Sequence, residues 1–112
     1  MDSFRSRLLQ GVMYTLRSQN ADDLHLAPCA KHDGIPAVVR CRIRNLRLLV
    51  SVVPHDQIND VELIPALGRL YAEAIATNAL LVMGVEDRDQ IVADELLRTL
   101  TRTAVLPVPD SR

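Results

Sequence analysis

The sequence predicts a single α/β (α+β) domain, a two-layer or three-layer sandwich of helices on a mostly antiparallel sheet. Three observations support this class. The 112 residues suffice for one hydrophobic core, and 48% of them are apolar while 24% are charged, as in ordinary globular domains. Residues 38–53 alternate as paired strands do, and segments with helical spacing lie on either side of them. The domain is expected to span 1–112, with 105–112 as an extended or frayed end.

Residues 38–53 are predicted to form a β-hairpin around the two-residue turn Arg44-Asn45. This turn pairs Ile43 with Leu46 and so fixes the register of both strands. One face of the hairpin then carries Val39, Cys41, Ile43, Leu46, Leu48, Val50 and Val52. The other face carries Arg40, Arg42, Arg47, Leu49 and Ser51. A slip of one residue would mix the two faces, so burial of the apolar face favours this register.

Helices are predicted before and after the hairpin. Residues 3–18 place apolar side chains at helical spacing, and these are Phe4, Leu8, Leu9, Val12, Met13 and Leu16. A short strand at 24–27 follows. A long helix is predicted to end near Asn78, with Pro65 either at its first position or distorting a helix that begins at Asp60. The apolar stripe of that helix is expected to contain Ile64, Leu67, Leu70, Tyr71, Ala74 and Ile75.

The last third of the chain is predicted to contain a buried strand and a third helix. Residues 79–85 are continuously apolar, which indicates a central strand, often parallel to an earlier one. Residues 87–90 read as a capping box that opens a helix reaching about Thr101. Its core residues are expected to be Ile91, Val92, Leu96, Leu97 and Leu100.

The composition excludes several classes of function. Aromatic residues make up only 3% of the chain, which argues against a surface that stacks single-stranded bases. No apolar run reaches the ~20 residues of a membrane span, and no signal peptide is apparent, so a cytoplasmic protein with reduced cysteines is expected. No nucleophile elbow, phosphate-binding loop or dinucleotide fingerprint is present. The sequence thus favours a protein that is not an enzyme and needs no cofactor.

The arginines of the hairpin are the first candidate site. Arg40, Arg42 and Arg47 alternate along one face, and Arg44 lies at the turn. Arginines at alternate strand positions can bind a row of phosphates or an acidic partner. The same pattern also solvates a half-exposed strand or protects a sheet edge.

A track of small residues on the long helix is the second candidate. Gly68, Ala72 and Ala76 are spaced by four and share one stripe, where another helix can approach closely. The track predicts either a homodimer through this helix or close packing of the helix on the sheet.

A metal site is the third candidate. His25, Cys29 and His32 have a spacing from which zinc could take three ligands, but no second close pair of ligands accompanies them. The acidic cluster at 86–95 could bind Mg²⁺, although carboxylates are also favoured in the first turn of a helix.

The order helix, three strands, helix, strand, helix resembles two known families. The restriction-endonuclease-like core has an acid at the start of its second strand, where Asp33 lies nearby, and a Glu-x-Lys on its third. The third strand here, 48–53, has neither carboxylate nor lysine, so the resemblance implies an inactive, binding-only member. The small secretion-chaperone-like fold, typically a dimer that holds a protein client, is also similar, but it has two strands between its last two helices where one is predicted here.

These observations together predict a small regulatory or adaptor protein, chaperone-like and homodimeric, that binds another protein. The alternative is a nucleic-acid-binding protein that uses the arginine face. Residues 1–53 are net basic and residues 54–112 are net acidic, which is typical of surfaces for charged partners. The same segregation of charge also arises when the two halves of a chain pack together and neutralise each other.

Overall fold

The computed structural model describes residues 3–27 and 37–109. The helices are α1 (Ser3–Ser18), α2 (Leu63–Thr77) and α3 (Gln90–Leu97). The strands are β1 (Asp22–Ala27), β2 (Ala37–Ile43), β3 (Leu46–Val53), β4 (Ala79–Glu86) and β5 (Thr103–Val108). Single turns of 3₁₀-helix cover His55–Gln57 and Asp87–Asp89. The predicted α/β class is confirmed.

The five strands form one sheet in the order β1-β2-β3-β4-β5. The β1–β2 and β2–β3 pairs are antiparallel, whereas β3–β4 and β4–β5 are parallel. The sheet is therefore mixed rather than mostly antiparallel. The strands β4 and β5 are parallel to the strands before them because α2 and α3 carry the chain back to the end of the sheet at which the preceding strand began. The prediction that 79–85 is an interior strand parallel to an earlier one is confirmed.

The hairpin has the predicted register. Ile43 pairs with Leu46, Cys41 with Leu48 and Val39 with Val50. The turn residues Arg44 and Asn45 both have positive φ, at 52° and 67°. This is the geometry of a type I′ turn, whose twist matches that of the strands, and it forms here without a glycine.

The helices cover both faces of the sheet, so the domain is a three-layer sandwich. On one face, Leu8, Val12 and Leu16 of α1 pack with the predicted apolar face of the hairpin. On the other, α2 and α3 pack over β3 and β4, where Leu49 and Val53 are buried. The arginine-bearing side of the hairpin is thus apolar and covered along part of its length.

The buried stripe of α2 differs from the predicted one. Leu67, Leu70 and Ala74 are buried as expected, but Ile64 and Ile75 are exposed. Their places in the core are taken by Leu63 and Ala66. Pro65 lies at the third helical position, which it tolerates because the first four backbone N–H groups of a helix have no partner within the helix. The helix ends at Asn78 as predicted, with a left-handed φ of 59°.

The third helix is shorter than predicted, and its buried side also differs. Ala93 and Leu97 are buried, whereas Ile91 and Val92 are exposed. The predicted capping box at 87–90 does not form, because Asp87 begins a single 3₁₀ turn and α3 begins only at Gln90. Asp89, the residue before α3, makes no side-chain hydrogen bond to the start of the helix.

The C-terminal segment predicted as an extended or frayed end contains strand β5. It pairs with β4 from Leu81↔Thr103 to Glu86↔Val108, and Val108 is buried against α1. Pro107 made a strand unexpected, but β5 is an edge strand, where a residue without an N–H group is tolerated.

Two glycines allow α1 to approach the sheet closely. A Cβ atom on Gly84 of β4 would lie 2.8 Å from Cγ2 of Val12, and one on Gly11 would lie 2.6 Å from Cγ1 of Val108. Both distances are shorter than carbon atoms tolerate. The absence of a side chain at these positions therefore sets the spacing between helix and sheet.

Cys41 is buried on the α1 side of β2, and its thiol is free. Burial raises the pKa of this thiol, because the thiolate loses its hydration. In a Cys29→Ser background we expect Cys41 to react with a thiol reagent on the order of 100-fold more slowly in the folded than in the denatured protein at pH 8. The thiol's contribution to the free energy of unfolding should be intact below its ordinary pKa and lost as pH rises towards the folded-state value. Equal reaction rates in both states would contradict this burial.

Candidate functional site

The predicted arginine face lies where β1, β2 and the start of β3 are not covered by a helix in the described structure. His25 of β1 lies opposite Arg40 of β2, and Arg42 lies opposite Arg47 of β3. Opposite residues of antiparallel strands share one face of the sheet, as do residues two apart in one strand. We call these four residues the basic sheet face.

Each arginine of the basic sheet face has a partner within the protein. Arg40 forms an ion pair with Glu73 of α2. Nη2 of Arg42 lies 2.8 Å from Oδ2 of Asp23, which a bulge in β1 holds at a positive φ of 56°. Nη1 of Arg47 lies 3.5 Å from the carbonyl oxygen of Thr77, at the limit of a hydrogen bond. Arg47 is therefore the least compensated of the three.

A pocket with a volume of about 390 Å³ opens on this face, between the hairpin and the end of α2. Its lining includes the basic sheet face together with Asp23 and Thr77. The buried apolar residues Leu49 and Ala79 also contribute. Small-molecule sites commonly have volumes of ~300–1,000 Å³ and combine apolar walls with a few polar groups. Arg44, the fourth predicted arginine, is exposed at the turn and is not part of this lining.

The predicted small-residue track lies on the exposed side of α2. Gly68, Ala72 and Ala76 are all exposed, and a Cβ atom on Gly68 would meet no atom within 4 Å. The track therefore does not pack on the sheet, which was the alternative explanation. Exposed apolar residues flank it, with Ile64 64% and Ile75 49% accessible. We call Ile64, Pro65, Gly68, Ala72, Ile75 and Ala76 the outer face of α2.

A histidine–aspartate pair joins the carboxyl ends of the parallel strands β3 and β4. Nδ1 of His55 donates to the Asp89 carboxylate, at 2.9 Å from Oδ1 and 3.1 Å from Oδ2. Asp89 is only 3% exposed, so it has almost no access to water as an alternative partner. The backbone N–H of His55 also donates to Glu86, whose carboxylate pairs with Arg88. With Nδ1 held in this way, Nε2 of the neutral ring is the proton acceptor.

Replacing His55 with alanine should lower the free energy of unfolding by ~1–3 kcal/mol, because it leaves the buried Asp89 carboxylate without this donor. His55→Asn can return an amide donor and should recover part of the loss. His25→Ala is the matched control, since the His25 ring is exposed and bonds only to the Asp23 carbonyl in the described structure. Chemical denaturation of the three variants measures these differences. Similar losses for His55→Ala and His25→Ala would show that the pair does not stabilise the fold.

The predicted metal ligands lie only partly within the described residues. His25 lies on β1, while Cys29 and His32 lie outside the described residues, as does Asp33. Within 3–27 and 37–109, no three His, Cys, Asp or Glu side chains form a group that could hold a metal ion.

The His55–Asp89 pair was missed by sequence reasoning, because 34 residues separate its members and Asp89 was assigned to a capping box. A signal was nevertheless present. His55 and Asp89 each follow a predicted strand, and the carboxyl ends of parallel strands meet at one edge of a sheet.

The structure thus presents a basic pocket, an apolar helix face and a histidine bonded to a buried carboxylate. None of the helices in the described ranges has the length and apolar character needed to cross a membrane. Comparison of the chain with models of protein families, with curated proteins and with solved structures finds no match.

Proposed function

We propose that this chain is a non-enzymatic regulatory or adaptor protein that binds another protein and acts as a homodimer through the outer face of α2. One observation carries the proposal: the side of α2 opposite the core is apolar. A helix that is apolar on both sides requires a second packing partner. The free, buried thiol of Cys41 is consistent with action in the reducing cytoplasm.

The shape of the outer face suits a second copy of the chain. In an antiparallel pair with Gly68 opposite Ala72 of the second copy, Ile64 lies opposite Ala76. The same register sets Pro65 opposite Ile75. Each isoleucine then faces a smaller residue or a proline ring, and the twofold symmetry repeats every contact. Gly68 at the centre permits close approach of the two helices.

The charges beside the outer face also suit an antiparallel pair. Arg69 and Glu73 lie one turn apart on the same edge of α2, and an antiparallel pair brings this edge against itself. Arg69 of each copy can then approach Glu73 of the other. Glu73 also pairs with Arg40 of its own chain, which would connect the interface to the basic sheet face.

Light scattering coupled to size exclusion, run at several concentrations, tests the dimer. We expect a mass near twice 12.5 kDa at high concentration. A monomer throughout would refute the proposal. A pull-down from the native host would then compare the partners retained by the wild type with those retained by a variant that cannot dimerise.

Nucleic-acid binding is the second candidate function, and one observation favours it. Arg42 and Arg47 lie directly opposite each other, and Arg44 extends the positive charge at the turn. The ion pairs to Glu73 and Asp23 reduce the charge available to phosphates. If the candidate holds, changing Arg40, Arg42 and Arg47 to glutamate should abolish a binding that weakens steeply with salt. A folded wild type that binds neither DNA nor RNA at low salt would remove it.

A further inference from the structure

We infer that the pocket on the basic sheet face binds a small organic molecule through a phosphate group. This inference does not depend on the dimer. It rests on three features of the described residues, which are the arrangement of the arginines, the incomplete compensation of their charge and the mixed lining of the pocket.

The arrangement brings like charges together. Arg42 and Arg47 pair across β2 and β3 one step beyond the turn pair Ile43–Leu46. This position has no backbone hydrogen bonds between the two residues, so their side chains start closer together than at neighbouring positions. Like charges directly opposite each other are unfavourable. An anion held between the two guanidinium groups would replace this repulsion with charge-assisted hydrogen bonds.

The charge of the pocket is not fully compensated. Glu73 neutralises Arg40, and Asp23 neutralises Arg42. Among the residues that the structure describes, Arg47 contacts only the Thr77 carbonyl oxygen, at 3.5 Å. The Arg42–Asp23 pair is itself largely exposed, with the Asp23 side chain 63% accessible, so Arg42 can exchange this partner at little cost. Arg47 and Arg42 are therefore the two residues assigned to the phosphate.

The lining of the pocket determines the rest of the ligand. Leu49 and Ala79 are buried apolar residues on the pocket wall, and a volume of about 390 Å³ exceeds what a bare phosphate ion fills. The pocket therefore suits a phosphate attached to a compact apolar group. Nucleic acid differs, because it would extend along the hairpin and contact Arg44, which lies outside the pocket.

Calorimetric titration with inorganic phosphate, phenyl phosphate and phenol tests the site. We expect phenyl phosphate to bind more tightly than phosphate, and phenol not to bind. Amide chemical-shift changes in the NMR spectrum should concentrate on residues 23–25, 40–42 and 47–49. Arg47→Gln and Arg42→Gln should each lower the affinity for phenyl phosphate by at least about tenfold, the usual effect of losing a charged hydrogen bond.

Two glutamine variants serve as controls. Arg98→Gln removes an exposed arginine that pairs with Glu95 on the far helix, and Arg44→Gln removes the arginine at the turn. Neither should change the binding of phenyl phosphate. The inference would be overturned if the folded wild type showed no saturable binding of phenyl phosphate up to about 10 mM, a concentration on the order of the weakest specific dissociation constants. Binding of duplex DNA that Arg44→Gln weakens as much as Arg47→Gln would also overturn it, since the face would then be a nucleic-acid surface.

Discussion

Glutamate in place of Ala72 is expected to convert the proposed dimer to a monomer without unfolding the chain. Ala72 lies at the centre of the outer face of α2, and the twofold symmetry would bury two unpaired carboxylates there. Burial of an unpaired charge costs several kcal/mol, which corresponds to a dimer dissociation constant raised by at least about 100-fold. The monomer should tolerate the change, because Ala72 is exposed and glutamate is a good helix former.

Gln10→Glu is the matched control for this prediction. Gln10 is an exposed residue of α1, on the opposite side of the sheet, and the change adds the same charge with almost no change in shape. Sedimentation equilibrium should show a monomer for Ala72→Glu and a dimer for Gln10→Glu. If both variants remain dimeric and folded, the interface lies elsewhere on the molecule.

Alanine in place of Gly84 is expected to lower the free energy of unfolding by ~1–3 kcal/mol, the usual effect of excess volume in a packed core. The new Cβ atom would lie 2.8 Å from Val12 Cγ2 and 3.5 Å from Val50 Cγ1. Either α1 or β4 must move to relieve the contact. Removing the Val12 methyl groups as well, in Gly84→Ala/Val12→Ala, should cost less than the sum of the two single changes.

Gly68→Ala is the same substitution at an exposed position, and it is expected to raise the free energy of unfolding. No atom lies within 4 Å of the added methyl group, and alanine favours a helix over glycine by ~0.8–1.0 kcal/mol. Both glycine variants are best compared in the Ala72→Glu background, so that dimerisation does not contribute. Chemical denaturation should then show Gly84→Ala less stable and Gly68→Ala more stable than the parent. Equal effects would show that α1 does not depend on close approach to β4.

The sequence predicted the hairpin well because two constraints act together there. The two-residue turn fixes which residues pair, and the alternation of Val39, Cys41 and Ile43 fixes which face is buried. Either constraint alone leaves alternatives. The two-residue turn requires positive φ at both Arg44 and Asn45, a conformation that residues other than glycine adopt less readily.

The helices were predicted less accurately, because an apolar residue at helical spacing does not specify which helix face meets the sheet. Ile64 and Ile91 were assigned to the core, yet both are exposed, and the smaller Ala66 and Ala93 are fully buried. Close packing on the sheet favours alanine at the point of contact. The track of small residues on α2 was predicted, but the same misassignment left Ile64 and Ile75 out of it, so the full apolar extent of the outer face follows only from the structure.

The candidate sites were predicted only in part, because the sequence shows which residues share a strand face but not which distant residues contact them. Strand alternation places Arg40 and Arg42 on one face, so their clustering could be read from the sequence. Their partners could not, because Glu73 and Asp23 reach them through the packing of α2 and a bulge in β1. The pairing of His55 with Asp89 likewise depends on the parallel order of β3 and β4.

The edges of the sheet have a consequence for how this chain can associate. The β1 edge is interrupted by the bulge at Asp23, and the β5 edge contains Pro107, which has no N–H group to donate. Interrupted edges resist the addition of a strand from another molecule, the step that leads to fibrillar aggregates. Although 48% of its residues are apolar, the chain therefore resists pairing of its edge strands with the strands of other molecules. Copies of the chain then associate through side-chain contacts, and the strength of such contacts can be changed by single surface substitutions.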